Sequence, residues 1–256
     1  MEERRVVLVT GGGAGIGRAI ALRFGEDGYR VAVNGRRSEN TKETADLIRS
    51  AGGAAAPFMA DVSVEEEARR LVEKTAETYG RLDVLVNCAG ICPIRPFEEV
   101  TPEDFERTIR VNLFSMFYCV HAAVPYLRKT TGKILNAGSQ SSFRQSPETV
   151  EYATSKWAVR GLTRTLAAAL AEDGITVNAF CPGTVLSPMQ LSIAAERGRR
   201  EGITVEEYYK RRYKEIPLHR AQPAEEVAAL VAFLASKAAD NITGQCIMIN
   251  GGQVMC

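Results

Sequence analysis

Tyr152 and Lys156 stand four residues apart in the run Glu151-Tyr152-Ala153-Thr154-Ser155-Lys156, with Ser139 thirteen residues before the tyrosine. On a helix, positions i and i+4 share a face, so an ammonium at 156 can sit beside a phenol at 152. A phenol ordinarily ionises near pH ~10. A fixed positive charge beside it favours the phenolate, and each unit of lowering is worth about 1.4 kcal/mol. Such a tyrosine serves as an acid or base near neutral pH. Taken alone the spacing is ordinary on a solvated helix face, and its weight comes from the rest of the chain.

At the other end, the apolar run Val6-Val7-Leu8-Val9 reads as a buried strand and leads into Thr10-Gly11-Gly12-Gly13-Ala14-Gly15-Ile16-Gly17. A helical pattern follows over residues 18–28. Strand, glycine-rich turn and helix are the context in which such a motif holds a nucleotide. Glycines let the backbone approach a ligand closely, and the helix start offers free N–H groups to a pyrophosphate.

These devices need a scaffold, and 256 residues suffice for one large α/β domain. The chain is 45% hydrophobic and 25% charged with net charge +1. That balance gives no electrostatic reason to expect nucleic acid or an anionic membrane as a partner. Met1-Glu2-Glu3-Arg4-Arg5 leads straight into the first strand without a signal-peptide pattern, and no apolar run approaches ~18 residues. Six cysteines without a Cys-x-x-Cys pair, and only two histidines, argue against a metal site and suit a reducing cytoplasm. Cys256 is the last residue, which is not the place of a prenylated cysteine.

Apolar runs alternate with helical patterns along most of the length. Strands are expected at 6–9, 30–34, 54–60, 84–87, 132–137, 176–181 and 246–249, and helices at 16–27, 40–50, 64–79, 102–129, 152–172 and 223–235. This alternation predicts a single doubly wound, Rossmann-like α/β domain over 1–256, a seven-stranded parallel sheet with helices on both faces. Residues 186–218 carry helical patterning without a strand and are expected to form a helical substrate lid. A surface excursion without function is the plainer alternative.

In these motifs and their order the chain resembles the short-chain dehydrogenase/reductase family over essentially its full length. The resemblance rests on residues 10–17, Asp61, Asn87-Cys88-Ala89-Gly90, Asn112, Ser139, Tyr152 with Lys156, and Pro182-Gly183. The family usually has a second asparagine where Cys88 stands and a double serine where this chain has Gly138-Ser139. The resemblance implies an NAD(P)-dependent oxidoreductase acting on a secondary alcohol or ketone. It makes Tyr152 the general acid in reduction and general base in oxidation. It makes Lys156 the group that lowers the tyrosine's pKa and holds the nicotinamide ribose. Ser139 would hold the substrate oxygen and Asn112 a relay water; taken alone, Asn112 reads as a structural helix residue. It places Gly11, Gly13, Ala14, Gly15, Ile16 and Gly17 at the pyrophosphate, and Asp61, Val62, Asn87, Ala89 and Gly90 on the adenosine side. Pro182, Gly183, Thr184, Val185 and Ser187 would hold the nicotinamide and carboxamide. Family members commonly form homotetramers or homodimers through the helices expected at 102–129 and 152–172.

Cofactor choice rests on Asn34-Gly35-Arg36-Arg37 at the end of the second strand. An acid there would bind the ribose hydroxyls of NAD, whereas arginine suits the 2′-phosphate of NADP. Gly35 takes the acid's place and Arg36 and Arg37 follow, so NADP(H) is favoured and NAD(H) remains open. The length of the 186–218 segment and the ending Gly251-Gly252-Gln253-Val254-Met255 resemble the polyol, sorbitol-6-phosphate and acetoin/butanediol members. The alternatives are a 3-oxoacyl-thioester reductase, docked through Arg128, Lys129, Arg160 and Arg164, and a non-catalytic dinucleotide sensor. Gln140, Ser141, Arg144 and Gln145 follow the catalytic serine and, with Met189, are expected to reach the substrate. Residues 196–220 hold eight basic residues against five glutamates. A solvated helix face accounts for that surplus, and an anionic substrate is the other reading. His121 and His219 read as packing or surface residues.

Overall fold

The computed structural model describes residues 4–255. Seven strands form one parallel sheet: β1 (Val6–Thr10), β2 (Arg30–Gly35), β3 (Ala54–Met59), β4 (Val84–Asn87), β5 (Lys133–Ala137), β6 (Thr176–Pro182) and β7 (Cys246–Ile249). Their order is β3-β2-β1-β4-β5-β6-β7, every pair parallel. The order reverses between β1 and β4, where the chain runs to opposite sides of the sheet and opens a crevice at the strands' carboxyl ends.

The β strands are apolar because both faces are covered. Val7, Val9, Val31, Val33, Val84 and Val86 pack under α1 (Gly15–Glu26), α2 (Ser38–Ser50) and α9 (Ala224–Ala235). The alternate residues, Val6, Leu8, Ala32, Leu85 and Ile134, pack under α3 (Glu65–Tyr79) and α5 (Ser115–Leu127). Each such side chain, fully buried, stabilises the fold by roughly 1.5–3 kcal/mol. The expected helix over 102–129 is not continuous. It starts as α4 (Pro102–Ile109), capped by the Thr101 side chain, and widens into a π turn over Arg110–Phe114 before α5. A π turn inserts an extra residue and often marks a functional position. This one carries Asn112 into the interior.

Residue Tyr152 lies in the first turn of α6 (Val150–Ala169). After β6 the chain leaves the sheet to form α7 (Pro188–Glu201) and α8 (Val205–Lys214), then returns beside its exit. Leu186 N–H donates to Gln222 O at 3.0 Å and Gln222 N–H to Thr184 O at 3.0 Å, pinning both ends of the excursion. Ser187 caps α7, and Thr204 with Glu207 forms a capping box on α8. Among the described residues no helix is long and apolar enough to cross a membrane.

Candidate active site

The glycine-rich turn is shaped by contacts that only glycine permits. A Cβ on Gly17 would lie 2.2 Å from Gly11 O, so α1 could not seat against the turn with any other residue there. Gly11 and Gly15 hold φ of +66° and +53°, the left-handed region. No side chain caps α1 and no acid occupies its first turn, so its leading N–H groups remain available to an anion. Thr10 closes the floor, its Oγ1 accepting from Cys88 N–H at 3.0 Å and Ala89 N–H at 3.2 Å. A pyrophosphate fits this cradle by shape and by charge.

The glycine turn opens onto one cleft of about 320 Å³ at the carboxyl ends of the strands. Gly11, Ala14, Gly15, Ile16, Gly17, Ala89 and Gly90 line it together with Ser139, Tyr152, Lys156, Pro182, Gly183, Thr184, Val185 and Ser187. Residues far apart in the chain, from Gly11 to Ser187, thus line one cleft, as the motif order predicts. Gly13, Arg36, Arg37, Asp61, Val62 and Asn87 lie outside that lining. A Cβ on Gly35 would sit 3.9 Å from Gly13 N, so the end of β2 runs alongside the turn. Arg36 reaches Asp61 with Nη1–Oδ2 at 3.5 Å. Burial alone raises the Asp61 carboxyl, but the hydroxyl and N–H of Ser63, with Arg36, outweigh it and hold the group below its ordinary value. The Asn87 Nδ2 donates to Asn136 Oδ1 at 2.9 Å, across the sheet end, while its own buried Oδ1 has no partner among the described residues.

The four proton-handling positions converge. Ser139 follows β5 in extended conformation, its Oγ accepting from Ser141 N–H at 3.1 Å. Lys156 is buried, its Nζ donating to Ala137 O at 2.6 Å and lying 5.5 Å from the Tyr152 ring centroid. Asn112 is fully satisfied: Oδ1 accepts from Ile91 N–H at 2.8 Å, and Nδ2 donates to Ile91 O at 2.9 Å and Ser155 Oγ at 3.0 Å. A Cβ on Gly90 would lie 3.2 Å from Asn112 Oδ1 and 3.9 Å from Lys156 Nζ, which places both under the same glycine.

The electrostatics differ from the expectation that Lys156 pulls the phenol down. Burial pushes Tyr152 up and the Cys92 thiol adds to it, while the hydrogen bond with Ser139 works the other way. Burial also pushes Lys156 down, to about 8. Burial thus leads both shifts, and the Lys156 ammonium is engaged by the Ala137 carbonyl. Cys88 and Cys92 are driven by burial to about 11 and about 12, with Lys156 opposing, so both stay thiols at neutral pH.

On the substrate side, Gln140, Ser141, Arg144 and Met189 line the cleft as expected, but Gln145 is exposed outside it. Ile193, Arg197, Tyr208 and Arg212 come from the excursion, which therefore forms one wall of the cleft. Cys92, Ile94 and Tyr208 escaped the sequence reading, because the loop after β4 and the α8 helix carry no motif. Gly138 acquires a reason: a Cβ there would lie 2.6 Å from Cys181 Sγ. Two of the four residues that would greet an acyl carrier are engaged within the chain. Arg128 pairs with Asp173 at 2.9 Å, and Arg160 stacks 4.3 Å from the Phe143 ring centroid. His121 stacks on Phe117 and His219 is exposed.

Residues 11–253 match a family model of short-chain dehydrogenases described as "Enoyl-(Acyl carrier protein) reductase". An L-2,3-butanediol dehydrogenase of Corynebacterium glutamicum is 39% identical over 98% of each chain. A diacetyl reductase, (S)-acetoin forming, of Staphylococcus aureus is 40% identical over 98% of each chain. A crystal structure of an actinorhodin polyketide ketoreductase variant with NADPH superposes with a TM-score of 0.95 at 34% identity, covering 99% of this chain and 98% of that one. With the glycine turn, Ser139, Tyr152, Lys156 and Pro182-Gly183 lining one cleft, the chain belongs to the short-chain dehydrogenase/reductase family, nicotinamide-dinucleotide oxidoreductases acting on CH–OH groups.

Proposed function

We propose that the protein interconverts a small hydroxylated ketone and the corresponding secondary alcohol, in the manner of a polyol, sugar-alcohol or hydroxyketone dehydrogenase, with NADP(H). The observation that carries the chemistry is the convergence of Ser139, Tyr152 and Lys156 on the cleft that the glycine turn opens into. When bound, the dinucleotide supplies or accepts the hydride. Tyr152 gives its phenolic proton to the carbonyl oxygen in reduction and takes it back from the alcohol in oxidation. Ser139 holds that oxygen. Lys156 holds the ribose and returns protons to Tyr152, with Asn112 fixing the loop through Ile91 and Ser155 beneath it.

The cofactor preference rests on Gly35 and its neighbours. A Cβ there would lie 2.4 Å from Thr41 Oγ1, which is itself held by donating to Arg37 O at 2.7 Å. An acidic side chain for the NAD ribose thus has no room, while the exposed Arg36 guanidinium, held to Asp61 through Nη1 alone at 3.5 Å, keeps its other donors for a phosphate. The polar wall of Ser139, Gln140 and Ser141 supports a hydroxylated substrate. Exposed Phe114, Phe117 and Trp157 support a subunit contact along α5 and α6, which light scattering on the eluted protein would test.

Nicotinamide absorbance is the test of activity. NADP⁺ and NAD⁺ are offered with polyols and sugar phosphates, and NADPH and NADH with hydroxyketones and an acetoacetyl thioester. Turnover of polyols or hydroxyketones, faster with NADP(H), is the expected result. Turnover of the thioester alone would overturn the substrate reading, and faster turnover with NAD(H) the cofactor reading.

A further inference from the structure

The basic surplus of residues 196–220 divides in two. Arg199, Arg200, Lys210, Arg211, Lys214 and Arg220 are exposed and account for a solvated face. Arg197 and Arg212 are turned inward: their side chains are 18% and 12% exposed, and both line the cleft that holds Tyr152. Arg144, from the loop after Ser139, lines the same cleft. Three guanidinium groups from three separate elements therefore face one small chamber.

Their compensation is incomplete. Arg197 pairs with Glu148 at 3.0 Å and Arg212 with Glu215 at 2.6 Å. Both carboxylates are more than half exposed, so they hold the arginines from the solvent side. Arg144 makes no hydrogen bond or ion pair among the described residues, and its Nε and that of Arg197 are buried without a partner. Burial, then the charges of Arg212 and Arg197, outweigh the opposing charge of Glu215 and push the Arg144 guanidinium below its ordinary value. Like charges gathered in a partly desolvated space are costly unless an opposite charge joins them. Guanidinium forks match the two oxygens of a carboxylate or the three of a phosphate monoester.

We propose that the substrate carries an anionic group, a carboxylate or a phosphate monoester, which Arg144, Arg197 and Arg212 bind while its alcohol or ketone carbon lies at Tyr152. The proposal rests on the cleft being the site of alcohol/carbonyl chemistry. It adds that the anion bridges the body of the domain, through Arg144, to both helices of the excursion, through Arg197 on α7 and Arg212 on α8. The excursion then closes on an anionic substrate rather than on any alcohol of the right size.

Matched ketones decide it. The protein, saturated with whichever reduced dinucleotide it binds more tightly, is given dihydroxyacetone against its phosphate, D-fructose against fructose 6-phosphate, and 2-pentanone against 3-oxobutanoate. An anionic member favoured by roughly 100-fold in kcat/KM is expected, and the winning arm tells phosphate from carboxylate. In Arg144→Met and Arg212→Met that advantage shrinks by a similar factor, chiefly through KM, with Arg144→Lys retaining part of it. Neutral members used as well as the anionic ones in every pair would overturn the proposal while leaving the alcohol/ketone reading intact. So would an advantage that survives both methionine variants. If no ketone is reduced, the reading of the site fails instead, and calorimetric titration of inorganic phosphate and acetate into the dinucleotide-saturated protein still decides. Binding weakened tenfold or more in Arg144→Met upholds the anion site. Absence of binding by both anions overturns it.

Discussion

The two halves of the cleft are built from different materials. The dinucleotide half is backbone: glycines at 11, 15 and 17, the free start of α1 and the Thr10 tie to β4, all fixed by the sheet. The substrate half is side chains, part of them carried by an excursion pinned at its two ends. A backbone site tolerates almost no change, because a single Cβ closes it. A side-chain site tolerates change in kind, because one residue can leave and the wall still stands. Tyr152, Ser139 and Lys156 lie at the seam and belong to neither half.

Breaking the seam has the largest expected effect. Tyr152→Phe removes the transferable proton and leaves both walls intact. We expect kcat to fall by about 10³-fold or more, with the dinucleotide dissociation constant within threefold of the wild type. Stopped-flow turnover and the fluorescence of bound reduced nicotinamide check the two together. Loss of dinucleotide binding in parallel would show that the seam is part of the backbone half.

The next pair contrasts the halves directly. Gly17→Ala drives a methyl to 2.2 Å from Gly11 O, so α1 must move away from the turn. A cost of about 2–3 kcal/mol in stability, with dinucleotide affinity weakened at least tenfold, is expected. Gly202→Ala, between α7 and α8, meets nothing within 4 Å and carries only the penalty of its φ of +67°. That penalty is about 1 kcal/mol, without effect on dinucleotide affinity. Urea unfolding and a dinucleotide titration on both variants measure the contrast, and equal effects would dissolve it.

Lys156 shows that the seam is maintained against stability. Its ammonium is buried and its pKa is lowered from 10.5 to about 8. Below pH 8 both the folded and the unfolded chain carry the proton, so the burial cost is present in full. Between about pH 8 and 10.5 the unfolded chain binds more protons at this group, so its contribution to stability rises with pH. Lys156→Met is expected to stabilise the protein by about 1–3 kcal/mol at pH 7, less what the hydrogen bond to Ala137 O contributed. The gap over the wild type narrows by pH 10 as turnover is lost throughout. Thermal melts of both proteins at pH 7 and pH 10 check it. A variant less stable than the wild type at pH 7 would mean that the Ala137 bond outweighs desolvation.

The same division explains what the sequence made legible. β/α alternation and the glycine spacing were enough for the sheet, its crevice and residues 11–17, because backbone constraints leave a residue-type signature. Tyr152 and Lys156 were legible because both roles sit on one helix at a fixed spacing. Three things were not. The break at Arg110–Phe114 has no proline or glycine to announce it, since a π turn is set by packing around Asn112. The absence of Gln145 from the cleft, when Arg144 beside it lines the wall, depends on how an irregular loop runs, which spacing does not encode. The inward turn of Arg197 and Arg212 depends on how α7 and α8 lie on the sheet, and a charge count over 196–220 averages it with six solvated residues. Gly138, legible only as a departure from the family, makes sense once Cys181 is placed beside it.

The smallest expected effect tests whether the excursion is an independent wall. Thr204 accepts from Glu207 N–H at 3.1 Å, and Glu207 accepts from Thr204 N–H at 2.8 Å, so two donors at the start of α8 are satisfied reciprocally. Thr204 is exposed and lies outside the lining of the cleft, so replacing it touches no ligand. Thr204→Ala removes one of those bonds, at about 1 kcal/mol to the helix. If the excursion unfolds with the rest of the domain, that cost appears in global stability and KM stays put. If it opens on its own, global stability is unchanged and the cost appears in KM for the alcohol or ketone, because α8 carries Tyr208 and Arg212 to the cleft. The second outcome is expected, since two hydrogen bonds at Gln222 tie the excursion back to the sheet at its base while its helices pack chiefly on each other. A KM raised two- to fivefold with unchanged urea midpoint, and unchanged dinucleotide affinity, is the signature of a substrate half that moves while the dinucleotide half does not.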